Sequence, residues 1–148
     1  MIKRNYTSED LNSHHAIAVI IKNKRGEVLM QEHAKYGFWT IPLGKVHQKQ
    51  TIEEGLKQEM FDECNILIKE FKELKNKKYY YSRLGKRILV SGHLFEISKF
   101  EGKIKNNEFQ KHKQQIFLSI DKIKQLSYLS DLTLLYLETI GIKRKAKI

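Results

Sequence analysis

The chain has 148 residues, of which 41% are hydrophobic and 30% charged, a composition typical of one globular domain and not of a disordered or fibrous protein. Its longest purely apolar run, Ala16–Ile21, is far shorter than the roughly 18 residues of a membrane span. The net charge of +11, from 28 Lys and Arg against 17 Asp and Glu, favours phosphate-rich partners. We therefore expect a single domain over residues 1–148, with a short basic tail at 143–148.

The N-terminal segment carries charge but no apolar signal region, and the single cysteine cannot form an internal disulfide. Both features predict a cytoplasmic protein that does not contact a membrane. The sequence leaves the oligomeric state open.

The first half of the chain begins with a predicted β-hairpin. Two β-branched segments, His15–Lys22 and Glu27–Glu32, flank a turn that ends at Gly26. A brief extended segment follows at Phe38–Ile41 and is stopped by Pro42, the only proline of the chain.

A helix is predicted to begin at Thr51. Thr51 and Glu54 have the spacing of a capping box, in which each side chain pairs with the other residue's backbone N–H. Apolar residues then recur at i, i+4 spacing, at Ile52, Leu56, Met60 and Cys64. Asn65 is suited to a left-handed C-cap, so the pattern predicts a helix near residues 51–64.

The second half is predicted to be mostly strand, with helices near the end. The expected strands are Ile66–Ile68, Tyr79–Ser82, Ile88–Ile97 and Gln115–Ser119. A short helix is expected over Asp121–Ser127, and a better one over Asp131–Ile140, capped by Asp131 and ended by Gly141. Two β-rich stretches around one helix, with a helix at the end, predict an α+β or mixed-sheet sandwich with its helices outside.

Three acidic residues of the predicted helix, Glu59, Asp62 and Glu63, lie at i, i+3 and i+4 and are therefore neighbours in space. Glu59 and Glu63 share the edge of the apolar stripe, where like charges are costly unless a cation neutralises them. A hard divalent ion with oxygen ligands would do so. Gly55, in the helix interior, indicates that something approaches the helix closely. Taken without its context, the same acidic pattern is more often a solvated helix face.

The stretch from Trp39 to Ile66 resembles the signature of the Nudix hydrolase family. That signature is an aromatic-x-Leu-Pro-Gly-Gly strand end followed by the box G-x5-E-x7-R-E-U-x-E-E-x-G-U, where U is a large apolar residue. The box spans residues 44–66 here without a gap. Matching residues are Trp39, Ile41, Pro42, Gly44, Glu59, Met60, Glu63 and Ile66.

Five positions depart from the family pattern. The first box Glu is replaced by Gln50 and the Arg by Gln58, so a charged pair is expected to have become a neutral hydrogen-bonded one. Asp62 is one methylene shorter than the family's Glu, which favours contact through water. Leu43 and Asn65 stand where the family has glycine.

The resemblance implies a Nudix-like α/β/α sandwich with a mixed sheet and a metal-dependent pyrophosphohydrolase activity. The substrate would be a nucleoside diphosphate linked to another moiety, and the cofactor Mg²⁺ or Mn²⁺. Glu59 and Glu63 would be the catalytic and principal metal-binding residues, with Asp62 and the carbonyl of Leu43 as further ligands.

Substrate contacts are predicted at Gly44, Lys45 and Glu108. Glu59 is the obvious general base, with a later loop acid, Glu101 or Glu108, as the alternative. For Lys45, a solvated strand-end lysine is an equally good interpretation.

Two other functions stay open at this level. The changes at Leu43, Gln50 and Gln58 favour a catalytically weakened Nudix fold that binds a nucleotide or RNA, and a basic adaptor protein would make the acidic helix accidental. The basic and aromatic segment Tyr79–Arg87 and the cluster Lys143–Lys147 would suit RNA, but a solvated surface is the favoured interpretation of this charge.

Overall fold

The computed structural model describes residues 13–142, apart from the side chains at positions 13, 81 and 83. The strands in this part of the chain are β1 Ser13–Ile20, β2 Val28–His33, β3 Trp39–Thr40, β4 Leu43–Lys45, β5 Leu67–Arg83, β6 Lys86–Glu101 and β7 His112–Leu118. The helices are α1 Ile52–Cys64, α2 Ile120–Gln125 and α3 Asp131–Thr139. The basic tail predicted at 143–148 lies outside the described residues.

The strands form two sheets. The four-stranded sheet has the order β4-β1-β6-β5, and it is mixed because β1 and β6 run parallel while the other pairs are antiparallel. The three-stranded sheet has the order β3-β2-β7 and is antiparallel throughout.

The hairpin predicted for the first two strands is wrong beyond its base. The turn forms, since the side chain of Asn23 accepts from the backbone N–H groups of Arg25 and Glu27, and Lys22 pairs with Val28 in an isolated bridge. Beyond that bridge β1 and β2 belong to different sheets. β1 instead lies between β4 and β6, where both of its faces are buried.

β5 joins two strands that the sequence predicts separately. It pairs with β6 from Leu67–Glu101 to Arg83–Lys86, with register shifts near Ile68, Glu70 and Glu73. The lysine-rich middle of β5 hides this continuity in the sequence, because an edge strand does not need apolar residues to pair its backbone.

The two faces of β1 contribute to two apolar cores. Ala16, Ala18 and Ile20 pack towards α2 and α3, whereas Ile17, Val19 and Ile21 pack towards α1. Helices therefore cover both sides of the sheet, and the predicted α+β sandwich is confirmed. Among the described helices, none is long and apolar enough to cross a membrane.

The two C-terminal helices differ slightly from the predictions at their N-terminal ends: α3 begins at Asp131 as predicted but has a different cap, and α2 begins one residue earlier than predicted. Ser130, and not Asp131, caps α3 by accepting from the backbone of Thr133. α2 starts at Ile120 and is capped in the same way by Ser119. Both corrections reflect the short hydroxyl side chain, which meets the orphan N–H groups of the first helical turn.

Candidate active site

Local sequence fixes both ends of α1. The predicted capping box is present: the backbone N–H of Glu54 donates to Thr51 Oγ1 at 3.1 Å, and the N–H of Thr51 donates to Glu54 Oε1 at 2.9 Å. Asn65 ends the helix in the left-handed conformation with φ 64°. These caps set which residues of the helix face the sheet.

Two helix carboxylates are almost completely buried. Glu59 is 6% exposed and Glu63 is 3% exposed, as their position at the edge of the apolar stripe predicts. Gly44 of β4 lies directly against the Glu59 side chain, and a Cβ at that position would overlap its carboxyl group. Glycine at position 44 is thus what allows β4 to approach the carboxylate.

Gly55 meets the close approach that the sequence predicts. A Cβ added there would lie 2.8 Å from Val46 Cγ2, so α1 packs directly on the segment that leaves β4. Gly44 thus allows β4 to reach the Glu59 carboxyl group, whereas Gly55 allows the helix to pack on Val46.

The exchanged box residues do not pair with each other as expected. Gln50 accepts from the backbone N–H of His47 at 3.0 Å, and Gln58 donates through Nε2 to Asp62 Oδ1 at 3.0 Å. The predicted Gln50–Gln58 hydrogen bond is therefore wrong, because each amide satisfies a nearer group. Asp62 is half-buried and held by this i, i+4 contact.

The loop between β6 and β7 docks on the C-terminal end of α1. The backbone N–H of Lys105 donates to the carbonyl of Cys64 at 3.0 Å, and that of Asn107 to the carbonyl of Glu63 at 3.1 Å. The Asn65 side chain also donates to the carbonyl of Lys103. The two backbone bonds use carbonyls that a helix end leaves without intrahelical partners, and all three bonds hold the loop, and with it Glu108, beside the helix.

Glu108 adds a third carboxylate near the buried pair. Its Oε2 lies 2.9 Å from Lys111 Nζ. Burial disfavours the charged form of Lys111, but the hydrogen bond to Glu108 and the charges of Glu108, Glu63 and Glu59 raise its pKa. Lys111 is thus within electrostatic reach of three carboxylates from two separate segments.

Two further side chains, His112 and Cys64, lie within the electrostatic influence of the same carboxylates. His112 is buried, its Nε2 lies 3.7 Å from Glu63 Oε1, and burial lowers its pKa to about 4 against the charge of Glu108. Burial, followed by the charges of Glu63, Glu108 and Glu59, raises the pKa of the Cys64 thiol. The ring and the thiol are therefore both neutral at neutral pH, and neither offsets the negative charge.

The structure brings together Glu59, Glu63, Gly44 and Glu108 among the predicted site residues. Leu43 and Lys45 flank Gly44 on β4, so strand alternation sends their side chains towards the opposite face of the sheet; the Leu43 side chain packs against the core on that face. Roles for the Leu43 carbonyl and for Lys45 stay predictions.

Sequence reasoning missed Lys111 as a neighbour of the acids. Its three-residue distance from Glu108 is the only local signal, and that spacing is common on protein surfaces. Among residues 13–142, no group of three His, Cys, Asp or Glu side chains is arranged as a ready-made metal site.

Comparison with known proteins identifies the family. The family model described as NUDIX domain matches residues 12–134, so the chain belongs to the Nudix family, and its assignment as a Nudix-type hydrolase is confirmed at that level.

Two relatives illustrate the range of named activities. An 8-oxo-dGTP diphosphatase of Buchnera aphidicola subsp. Schizaphis graminum is 25% identical over 114 residues, which are 76% of this chain and 81% of the relative. An RNA pyrophosphohydrolase of Actinobacillus pleuropneumoniae serotype 5b is 28% identical over 76 residues, which are 51% of this chain and 37% of the relative.

Solved structures confirm the fold. A MutT NUDIX hydrolase from Burkholderia pseudomallei superposes with a TM-score of 0.73 at 19% identity, covering 88% of this chain and 99% of that one. An Ap4A hydrolase from C. elegans gives a TM-score of 0.63 at 16% identity, covering 86% of this chain and 95% of that one. The expected Nudix architecture is therefore present.

Proposed function

We propose that this protein is a metal-dependent pyrophosphohydrolase that cleaves a phosphoanhydride bond in a nucleoside diphosphate linked to another moiety. The observation that carries the proposal is the near-complete burial of two carboxylates on α1, Glu59 against Gly44 of β4 and Glu63 one turn further on, with Glu108 brought alongside by a separate loop. Buried carboxylates at this density are costly unless positive charge is supplied. The relatives named as a diphosphatase and a pyrophosphohydrolase support the same class of reaction.

The donor set fits a hard divalent cation. Glu59 and Glu63 offer carboxylate oxygens, Gly44 leaves the Glu59 carboxyl uncrowded by a side chain, and Cys64 offers no thiolate because its pKa is raised. Glu59 and Glu63 would be the principal ligands, with Asp62 acting directly or through water and the Leu43 carbonyl as a further oxygen. Mg²⁺ or Mn²⁺, when bound, supplies charge that offsets the diphosphate and helps to ionise water.

Side chains of the protein would then accept the proton of the attacking water. A carboxylate oxygen of Glu59 or Glu108 accepts the proton of the attacking water. Glu59 is packed against β4, whereas Glu108 lies in the loop that docks on the end of α1. Lys111 holds Glu108 at 2.9 Å before substrate arrives. Its ammonium group is also suited to a phosphate oxygen.

A second candidate is a catalytically weakened Nudix fold that binds a nucleotide or RNA. The contact of Gln58 with Asp62 favours this candidate, because the Gln58 amide occupies one oxygen of an expected metal ligand. In addition, Gln58 stands where the family has an arginine. The matching RNA pyrophosphohydrolases give this alternative an RNA-directed form.

A turnover assay separates these functions. The protein would be tested with Mg²⁺, with Mn²⁺ and with a chelator on nucleoside diphosphate derivatives, dinucleoside polyphosphates, nucleoside triphosphates and capped RNA. We expect at least one small nucleotide to be hydrolysed with metal and none with the chelator. Nucleotide or RNA binding without hydrolysis of any substrate would favour the second candidate and contradict the first.

A further inference from the structure

A stack of aromatic rings lies on the loop between β2 and β3. The His33 ring stacks on Tyr36 with centroids 5.2 Å apart and planes 18° apart, and on Phe38 with centroids 4.7 Å apart and planes 16° apart. Tyr128 meets Phe38 edge-on at 5.8 Å. Tyr36 and Tyr128 are the two exposed ends of this stack, each with 60% of its surface accessible.

The stack is held in place before any ligand binds. His33 Nδ1 accepts from the backbone N–H of Lys35 at 3.3 Å and from that of Tyr36 at 3.2 Å, which fixes the ring at the base of the loop. The backbone N–H of His33 donates to the carbonyl of Phe38 at 2.8 Å. An aromatic surface that is already ordered loses little conformational entropy when another ring settles on it.

The stack lies beside the carboxylate cluster. His33 is paired with His112 across β2 and β7, and His112 contacts Glu63. The backbone N–H of Ala34 donates to the carbonyl of Lys111 at 2.7 Å, so the aromatic loop and the loop that carries Glu108 are directly bonded.

A positive charge lies over the Tyr36 ring. Lys35 Nζ is 5.2 Å from the Tyr36 centroid. A cation–π contact at an exposed site is weak, so the ammonium group can exchange it for a contact with a phosphate. An aromatic surface, a lysine ammonium group and nearby carboxylates suited to a metal ion together match a ligand with a flat ring at one end and phosphates at the other.

We propose that Tyr36 stacks on the nucleobase of the nucleotide substrate and that Lys35 moves from the ring to a substrate phosphate. This inference rests on the proposed function, since it names the part of the substrate that the β2–β3 loop recognises. An exposed tyrosine contributes little to folding stability, so its removal separates recognition from structure.

The test measures binding of AMP and GMP without metal, so that no hydrolysis is involved. Base stacking on an aromatic ring is lost about 5- to 150-fold on substitution by alanine, which is about 1–3 kcal/mol at 1.4 kcal/mol per tenfold. We expect Tyr36→Ala to weaken binding by this factor, Tyr36→Phe to retain it, and the matched control Tyr80→Ala, another exposed tyrosine, to leave it unchanged. With a hydrolysed nucleotide, Tyr36→Ala should raise KM and leave kcat close to wild type.

Wild-type affinity of Tyr36→Ala for both nucleotides, or no binding by the wild-type protein, would overturn the inference. The ring protons of Tyr36 in the wild-type protein give a second measurement that needs no variant: stacking shifts their NMR resonances on addition of AMP or GMP, and unshifted resonances under saturating nucleotide contradict it. Because these measurements exclude metal and turnover, base stacking can be confirmed even where hydrolysis fails, and hydrolysis can be confirmed where stacking fails.

Discussion

The acidic site on α1 and the basic end of the β5–β6 hairpin differ in the burial of their charged side chains. Glu59 and Glu63 are nearly buried beside a third carboxylate. The hairpin segment from Asn76 to Arg87 contains five Lys and Arg residues and no acid, and those whose side chains are described are exposed. Exposed charges remain hydrated at little cost, whereas buried like charges require a counter-charge. Burial, and not the number of charges, therefore points to the site.

The aromatic residues of the hairpin follow the same division. Tyr79 packs against the core that carries α3, whereas Tyr80 faces outward with the Arg87 guanidinium 4.0 Å from its ring centroid. The exposed pair forms a usable surface, but nothing in its geometry demands a ligand.

Removing either buried carboxylate of α1 should have the strongest effect on activity. Glu59→Gln and Glu63→Gln keep side-chain shape but remove the anion, and each should lower metal-dependent hydrolysis by roughly 10²–10⁴-fold, the contribution typical of a general base. Steady-state kcat/KM is the measurement. Asp62→Asn should cost less, because Asp62 is half-buried and already bonded to Gln58.

The matched control for these variants is Glu53→Gln. Glu53 is on the same helix but exposed, in an i, i+4 pair with Lys57 at 3.4 Å, so activity should not change. Wild-type rates for both Glu59→Gln and Glu63→Gln would remove α1 from the mechanism.

Moving the Glu59 carboxylate without changing its charge should have a weaker effect. Gly44→Ala places a methyl group where the Glu59 carboxyl lies, and misplacement of about 1 Å can reduce rates by roughly 10²-fold. Gly55→Ala instead presses on Val46, so it should lower the thermal unfolding midpoint, because overpacking costs about 1–3 kcal/mol, while kcat is kept. Equal loss of activity in both variants would show general disruption of the helix–strand contact.

Neutralising the exposed cations of the β5–β6 hairpin should have the least effect on activity. Lys78→Gln combined with Arg87→Gln should leave turnover of small nucleotides unchanged, because these exposed cations are on the strands farthest from β4 in their sheet. RNA binding should be weak at about 0.15 M salt, where charges are screened beyond roughly 8 Å. A sub-micromolar RNA affinity at that salt, lost in the double variant, would make the hairpin an RNA surface and favour the RNA-directed alternative.

Elements whose signals are local could be predicted from the sequence alone. Thr51, Glu54 and Asn65 fix the ends of α1 through bonds to their own backbone neighbourhood, so the spacing of Glu59 and Glu63 on one face could be predicted correctly. The box register from residue 44 to residue 66 and the family follow from the same contiguous stretch.

Contacts between distant segments of the chain could not be predicted from the sequence and are seen only in the tertiary structure. Periodicity indicates that a strand exists but not which strand pairs with it, so the separation of β1 from β2 and the continuous β5 were not predicted. Gln50 and Gln58, which replace charged residues of the family pattern, bond to nearer partners for the same reason. A hydrogen bond forms with the group that the fold places within reach. The position of Glu108 depends on hydrogen bonds from backbone N–H groups of the loop to carbonyls at the end of α1. These bonds leave no periodic trace in the sequence because they are made by the backbone.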